Sequence, residues 1–144
     1  MLMTIGFVLS VFLTCSSDIG RENLIKYDDS DDGIVSYYDK NSIKRKSGIV
    51  QVWEEERYNT PESLREQIDQ CNGDYEQQNK CDRLSFSKVL WEIDCEQDKV
   101  RLLISNIYNK DGNILFHSSY HYSGAREYIN PNTIMDKLKN CVCK

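Results

Sequence analysis

Six cysteines in a chain of 144 residues place the strongest constraint on how this sequence can fold. A structural zinc site normally needs two Cys-x₂₋₄-Cys pairs, and the chain offers only one close pair, with Cys-x-Cys spacing. Disulfides therefore explain the cysteines better than a metal does, and we expect neither a metal site nor another cofactor. The six are Cys15, Cys71, Cys81, Cys95, Cys141 and Cys143.

The five cysteines after Cys15 cannot all pair with one another, so one must be free or must pair outside this set. A Cys71–Cys81 bridge closes a short polar loop and contributes about 3 kcal/mol on the chain-entropy model. A bridge from Cys95 to one of the two C-terminal cysteines closes a longer loop and contributes about 4 kcal/mol. The spacing alone leaves open which of those two pairs with Cys95.

The N-terminal segment predicts export from the cytoplasm. Residues 1–17 carry no charged side chain, and the apolar run Ile5 to Leu13 is too short to span a bilayer as a helix. Small polar residues follow, which is typical of a secretory signal peptide. Cys15 lies where a bacterial lipoprotein carries its lipid, so lipidation and ordinary cleavage both stay open. Either outcome places the remainder in the periplasm, at the outer membrane or at the cell surface, where disulfides persist.

The length and charge limit the classes of protein that fit. A chain of this size supports one domain. Its 18 Lys+Arg against 23 Asp+Glu give a net charge of −5, which disfavours a nucleic-acid binder. The sequence also contains no Gly-x-Ser-x-Gly, Walker or His-Glu-x-x-His motif, and its carboxylates look solvated. We therefore predict that the protein is not an enzyme.

Strand patterns dominate the chain after residue 24. Apolar and polar residues alternate from Val89 to Cys95, as in a half-buried strand. Asp32-Gly33 and Asp111-Gly112 are turn signals between β-rich runs. Residues 42–46 and 48–58 predict a further antiparallel pair. We expect an antiparallel sheet of about five to six strands.

Two helices interrupt or follow these strands. Thr60-Pro61-Glu62 is a helix start that leads into the Cys71–Cys81 loop, with a shared apolar face from Leu64 onward. Thr133 is the expected N-cap of a last helix, with Asp136 at the third position as in a capping box. The predicted class is α+β, with a C-terminal helix packed on the sheet.

Three blocks of this sequence resemble the bacterial surface-adhesin protein E family. Together they cover most of residues 24–144, with residues 60–83 as an insertion. The matching stretches are Asp32-Gly33 through Tyr37-Tyr38-Asp39-Lys40-Asn41-Ser42-Ile43-Lys44-Arg45-Lys46 and on to Val52-Trp53; Leu90 to Cys95, Arg101 to Leu103 and Tyr108 to Gly112; and Ile129-Asn130-Pro131 through Cys143-Lys144.

The resemblance implies an antiparallel sheet with a C-terminal helix. It also implies a Cys95–Cys143 disulfide, because the family's closing cysteine follows the proline by 12 residues, and it leaves Cys141 as the odd thiol. The best-known member is an outer-membrane lipoprotein that binds host matrix proteins and haem and can dimerise. We expect an exported, non-enzymatic binding module for an unknown macromolecule or envelope component. The alternative is an envelope protein that binds a small ligand such as haem. A homodimer is compatible with both.

The candidate binding residues are a basic cluster and two histidines. Lys44, Arg45 and Lys46 could meet an anionic partner, although charged residues on an edge strand also prevent aggregation. His117 and His121 are ~13 Å apart on a strand with ~3.3 Å per residue, which is too far to share one metal. Either histidine could act as a haem ligand, whereas the simpler expectation is an ordinary surface histidine without a ligand.

Two further patterns favour structural roles. Asp28-x-Ser30-x-Asp32-Gly33 with Asp39 has the spacing of a calcium-binding EF-hand loop, but its flanks predict strands rather than helices. A hairpin turn is the expectation. Tyrosine is favoured at interfaces, so four tyrosines form a candidate contact patch, although Tyr37 and Tyr38 point to opposite sheet faces. The four are Tyr37, Tyr38, Tyr120 and Tyr122.

Overall fold

Strand-forming runs separated by Gly, Asn and Asp turns give this chain a single antiparallel sheet. The structure, a computed structural model, describes residues 16–17, 23–74, 78–120 and 124–144. The strands are β1 (Ser16–Ser17), β2 (Leu24–Asp29), β3 (Ile34–Asp39), β4 (Lys44–Lys46), β5 (Ile49–Tyr58), β6 (Phe86–Asp94), β7 (Lys99–Tyr108), β8 (Ile114–Ser119) and β9 (Glu127–Tyr128). The helices are α1 (Pro61–Asp74), α2 (Gln78–Cys81) and α3 (Ile134–Val142), with a 3₁₀ turn at Lys40–Ser42.

The sheet order is β1-β2-β3-β5-β6-β7-β8, with β4 beside β5 and β9 beside β7. Every pairing is antiparallel. The predicted α+β class is confirmed. The described part of the chain gives the sheet nine strands, more than the predicted five to six. Two of the additional strands, β1 and β9, have two residues each and are too short to leave an alternation pattern in the sequence.

Both long helices pack on one face of the sheet, which we call the helix face. Val50 and Val52 of β5 point to this face and lie in a core with Leu138 and Val142 of α3. Val52, Leu138 and Val142 are fully buried. The opposite face, which we call the open face, carries no helix among the described residues.

The C-terminal helix starts where the sequence predicts. The Thr133 side chain accepts a hydrogen bond from the backbone N–H of Asp136 at 3.3 Å, and the Asp136 carboxylate accepts one from the N–H of Asn132 at 3.0 Å. The first bond satisfies a donor that the first helical turn leaves open, and the second reaches one residue before the cap. At the other end of the helix a Cys95–Cys143 disulfide joins α3 to the end of β6.

A second core lies under α1. The Cys71–Cys81 disulfide joins α1 to α2 and packs with Leu84, and Leu64 and Ile68 border the same core. The start of α1 is fixed to the β2–β3 hairpin, because the Ser63 hydroxyl donates to the carbonyl of Gly33 at 3.2 Å. Gly33 has a φ of +84°, and a Cβ there would meet Thr60 at 2.5 Å, so only glycine fits.

The structure decides the fate of the odd cysteine, which the count of five left either free or paired outside that set. Cys141, which the resemblance left as the odd thiol, is also disulfide-bonded. The other four described cysteines pair among themselves, so the partner of Cys141 lies outside the described residues. Residues 1–15 with Cys15, and also His121 and Tyr122, lie outside them too. The signal peptide and the lipid at Cys15 therefore stay predictions.

Candidate binding surfaces

The predicted basic cluster forms an exposed edge strand. Lys44, Arg45 and Lys46 make up β4, which pairs with the start of β5, and all three side chains are exposed. Arg45 lies opposite Val50 and therefore points to the helix face, whereas the two lysines point to the open face. The sequence placed these residues on a strand correctly, and the structure shows that their charges divide between two faces.

The structure places His117 on the surface of β8, at the open face. Its Nδ1 lies 2.6 Å from the side-chain oxygen of Asn106 on β7. Because an amide oxygen accepts hydrogen bonds, Nδ1 is the donor in this contact and Nε2 is directed away from Asn106. The predicted partner His121 lies outside the described residues, so the pair of histidines stays a prediction.

The acidic segment with EF-hand spacing is a hairpin turn. Strands β2 and β3 flank it, and its three carboxylates have separate partners. Asp28 is paired with Lys137 of α3, Asp32 accepts from Ser30 and from the N–H of Ile34, and Asp39 accepts from the N–H of Asn41. The hydrogen bond from Ser30 is the main reason why the pKa of Asp32 lies below its usual range. Among the described residues no group of three His, Cys, Asp or Glu side chains converges on one point.

Of the four tyrosines in the predicted contact patch, the three that the structure describes do not lie on one surface. Tyr38 lies on the helix face beside Tyr27, with ring centroids 6.2 Å apart. Tyr37 lies on the open face, where the guanidinium of Arg57 sits 4.9 Å from its ring centroid. Both Tyr37 and Tyr38 are buried, while Tyr120 is exposed. Opposite orientation and burial therefore separate the expected contact residues.

The sequence did not predict a groove that lies on the open face. Register aligns Glu55, Lys88, Asn106 and His117 in one row across β5, β6, β7 and β8. Their long-range alignment could not be seen in the sequence, since it depends on strand pairing. The cavity beside this row has a volume of about 250 Å³. The residues that line it include Leu24, Asp39, Trp53, Lys88, Asn106 and Tyr108.

Aromatic rings and charges alternate along this groove. Phe86 and Tyr108 are stacked with centroids 4.8 Å apart, and the ammonium of Lys88 lies 5.9 and 5.7 Å from the two centroids. The same ammonium lies 3.5 Å from the buried carboxylate of Glu55, which Arg57 also contacts at 2.7 Å. Flat apolar surface next to fixed donors and acceptors is the chemistry by which proteins bind polar macromolecules.

A second open-face cluster surrounds Glu92. Arg101 and Arg126 lie 2.8 and 2.7 Å from one of its oxygens, and Gln51 donates to the other at 3.2 Å. Burial opposes ionisation of Glu92, but the hydrogen bonds from Arg126 and Gln51 and the charges of both arginines outweigh it. The pKa of Glu92 is therefore lowered.

The helix face buries carboxylates in a different way. Glu54 accepts hydrogen bonds from the hydroxyl of Tyr27 and the indole N–H of Trp91. Burial raises the pKa of Glu54 to about 7, and the nearby charge of Glu56 adds to the shift. Burial also raises the pKa of Glu56. The expectation that the carboxylates are solvated is wrong for Glu54 and Glu56. Both lie on the same face of β5 as the apolar residues Val50 and Val52, since every second residue of a strand faces the same way. This alternation in the sequence could have predicted their burial.

The described residues contain no helix that is long and apolar enough to cross a bilayer. The architecture at this point is an antiparallel sheet with a disulfide-joined C-terminal helix on one face and a polar, aromatic groove on the other. That architecture is shared with solved structures of protein E from Haemophilus influenzae. The similarity is at the level of the fold.

Three of those structures give the extent of the structural similarity. The selenomethionine form matches with a TM-score of 0.56 at 12% identity, over 91% of this chain and 92% of the other. Crystal form II matches with a TM-score of 0.57 at 13% identity, over 93% and 96%. Protein E from a non-typeable strain matches with a TM-score of 0.52 at 12% identity, over 91% and 81%.

The family follows from the sequence itself. Residues 24–144 match the model of the family called surface-adhesin protein E. The chain belongs to this family, as the three sequence blocks predicted. The comparison with curated proteins returned no match.

Proposed function

We propose that this chain is an exported bacterial surface protein that works as a non-enzymatic binding module for a macromolecule. The observation that supports this most directly is the open face, where a groove of aromatic, cationic and amide side chains lies uncovered by any described helix. Membership of a surface-adhesin family agrees with it. Arginine and aromatic residues are enriched at protein contact surfaces.

The cysteines support export. Five described cysteines are disulfide-bonded, and such bonds persist in the periplasm and at the cell surface but not in a reducing cytosol. We further propose that the protein stays at the envelope either through a lipid on Cys15 or, after ordinary cleavage, as a soluble domain.

A lipid on Cys15 and a disulfide at the same sulfur exclude each other, because each uses the only sulfur of that side chain. Non-reducing peptide mapping and intact-mass measurement of the membrane fraction will decide between them. A diacylglyceryl adduct supports the lipoprotein, whereas a Cys15–Cys141 peptide or a free N-terminus near Asp18 contradicts it.

Adhesion of protein-coated beads to cultured epithelial monolayers tests the binding function. We expect the double variant Trp53→Ala, Tyr108→Ala to lower adhesion at least about threefold, because aromatic residues dominate contact energy. Tyr128→Ala is the matched control, since that exposed ring lies on β9 outside the groove. Circular dichroism verifies that each variant is folded. Beads with wild-type protein that fail to adhere, or equal loss in the control, contradict the proposal.

The alternative function, binding of a haem-type ligand, is favoured by one observation. Asn106 holds the Nδ1 proton of His117, so Nε2 is oriented as a metal ligand. A spectral titration with hemin tests it. A Soret shift that disappears in His117→Ala or His121→Ala supports haem binding, and the absence of a shift in the wild-type protein rejects it.

A further inference from the structure

The β4 edge and the end of α3 enclose a second groove, on the side of β5 away from the Trp53 groove. It has a volume of about 260 Å³. Its floor is apolar and includes Val50, Val142 and the Cys95–Cys143 disulfide. Its walls carry Arg45, Lys46 and Lys144. No Asp or Glu is among the described residues that line it, in a protein with a net charge of −5, although Glu96 lies beside it at the rim.

The backbone next to the cations of this groove is held by a tight turn. Ser47 and Gly48 both have positive φ, 52° and 77°, as a two-residue type I′ hairpin turn requires. The carbonyl of Gly48 accepts a hydrogen bond from the N–H of Cys95 at 3.0 Å. The turn is therefore braced against β6, and through the Cys95–Cys143 disulfide against α3. Glu96 lies beside Gly48 at the rim.

We propose that this groove binds a linear anionic polysaccharide, with Arg45 and the two flanking lysines contacting its sulfate or carboxylate groups. Arginine contacts such groups through two parallel hydrogen bonds. Because Arg45 points to one face and Lys44 and Lys46 to the other, a chain that passes over the edge meets cations on both sides. The volume lies below the range for a drug-sized ligand and suits one unit of a longer chain.

Two other anionic partners fit less well. A membrane surface normally needs apolar side chains that insert beside the cations. The exposed large apolar side chains of the described residues lie away from β4, at Ile114, Tyr120, Tyr128 and Ile134. An acidic peptide that added to the sheet as a strand needs a longer free edge than the three residues of β4.

Heparin is the probe for this proposal. We expect calorimetry to show that the wild-type protein binds a heparin octasaccharide in 50 mM NaCl. The triple variant Lys44→Gln, Arg45→Gln, Lys46→Gln should raise the dissociation constant at least about tenfold. The matched control is Arg65→Gln, Arg83→Gln, Lys110→Gln, which removes three exposed positive charges elsewhere. The control should stay within about twofold, since distant exposed charges are screened.

A second variant separates binding from protection of the sheet edge. Arg45→Gln keeps both lysines on the edge, so solubility by light scattering should not change, yet the affinity should fall at least about threefold. Absence of heparin binding by the wild-type protein, equal losses in both triple variants, or stronger binding to phosphatidylglycerol vesicles than to heparin would overturn the proposal. Bead adhesion through the Trp53 groove is measured independently, so either result can fail alone.

Discussion

The two faces of the sheet bury carboxylates by opposite means. Glu54 on the helix face and Glu92 on the open face are 3% and 4% exposed. Glu54 has two uncharged donors, Tyr27 and Trp91, whereas Glu92 has two arginines. The pKa of Glu54 rises to about 7 and that of Glu92 falls. Burial alone therefore does not decide the charge of a carboxylate, because the charge of its partners outweighs burial at Glu92.

The faces also differ in how they use apolar side chains. Leu138 of α3 is fully buried on the helix face, whereas Leu90 on the open face, opposite Trp53, is half-buried. This difference explains why the helix face holds the fold together and the open face is available for contacts. Three experiments test this difference between the two faces, from the largest effect to the smallest.

The largest effect is expected from truncation of the apolar core. Leu138→Ala should lower the free energy of unfolding by about 3 to 4 kcal/mol, because it removes buried methyl groups and leaves a cavity. Leu90→Ala is the matched control on the open face and should cost only about 1 to 2 kcal/mol, since its side chain is already partly solvated. Urea titration measures both. Equal costs would show that the faces carry similar shares of the stability.

The second-largest effect is a pH dependence of the free energy of unfolding that arises from Glu54. Its pKa is about 7 in the folded protein and about 4.5 when unfolded, so the folded state holds the proton more tightly. The contribution of this pKa shift to the free energy of unfolding is fully present below about pH 4.5, and about 3 kcal/mol of it is lost as the pH rises through about 7. Glu54→Gln should flatten this slope, because the amide can accept from Trp91 and donate to Tyr27 without a charge. Urea titrations at pH 5 and pH 8 are the measurement, and an unchanged slope in the variant would assign it to another group.

The smallest effect, with the opposite sign, is expected at Glu92. Its pKa is lowered in the folded protein, so its contribution is present above about pH 4.5 and is lost as the pH falls through the folded pKa. Glu92→Gln should cost about 1 to 2 kcal/mol at pH 7, discounted because Arg101 and Arg126 are 16% and 31% exposed. Below the folded pKa the two proteins should converge, and a cost that persists there would indicate packing rather than charge.

Much of the local structure was predictable because it depends on neighbours in the chain. The Thr133 cap, the helix start at Pro61 and the turns at Gly33 and Gly112 each follow from a few adjacent residues. The basic residues of β4 were likewise recognisable as a charged strand. In contrast, the row formed by Lys88 and Asn106 depends on strands whose register no local pattern encodes.

The buried carboxylates mark the same limit. The partners of Glu54 include Tyr27, which is 27 residues away, and those of Glu92 include Arg126, which is 34 residues away. A glutamate in a strand has the same local sequence signature whether it faces water, an arginine or a tyrosine. For this reason the sequence pointed to solvated carboxylates, and the structure shows several of them buried.

Short-range patterns and the order of motifs along the chain encode the α+β class, the helix starts, the charged edge strand and the family. Three features became visible only in the folded chain: which carboxylates are buried, that Cys141 is disulfide-bonded, and where two grooves form on opposite sides of β5. The physical reason is that burial and electrostatic pairing arise between strands that are distant in sequence, and antiparallel pairing brings those strands within hydrogen-bonding distance.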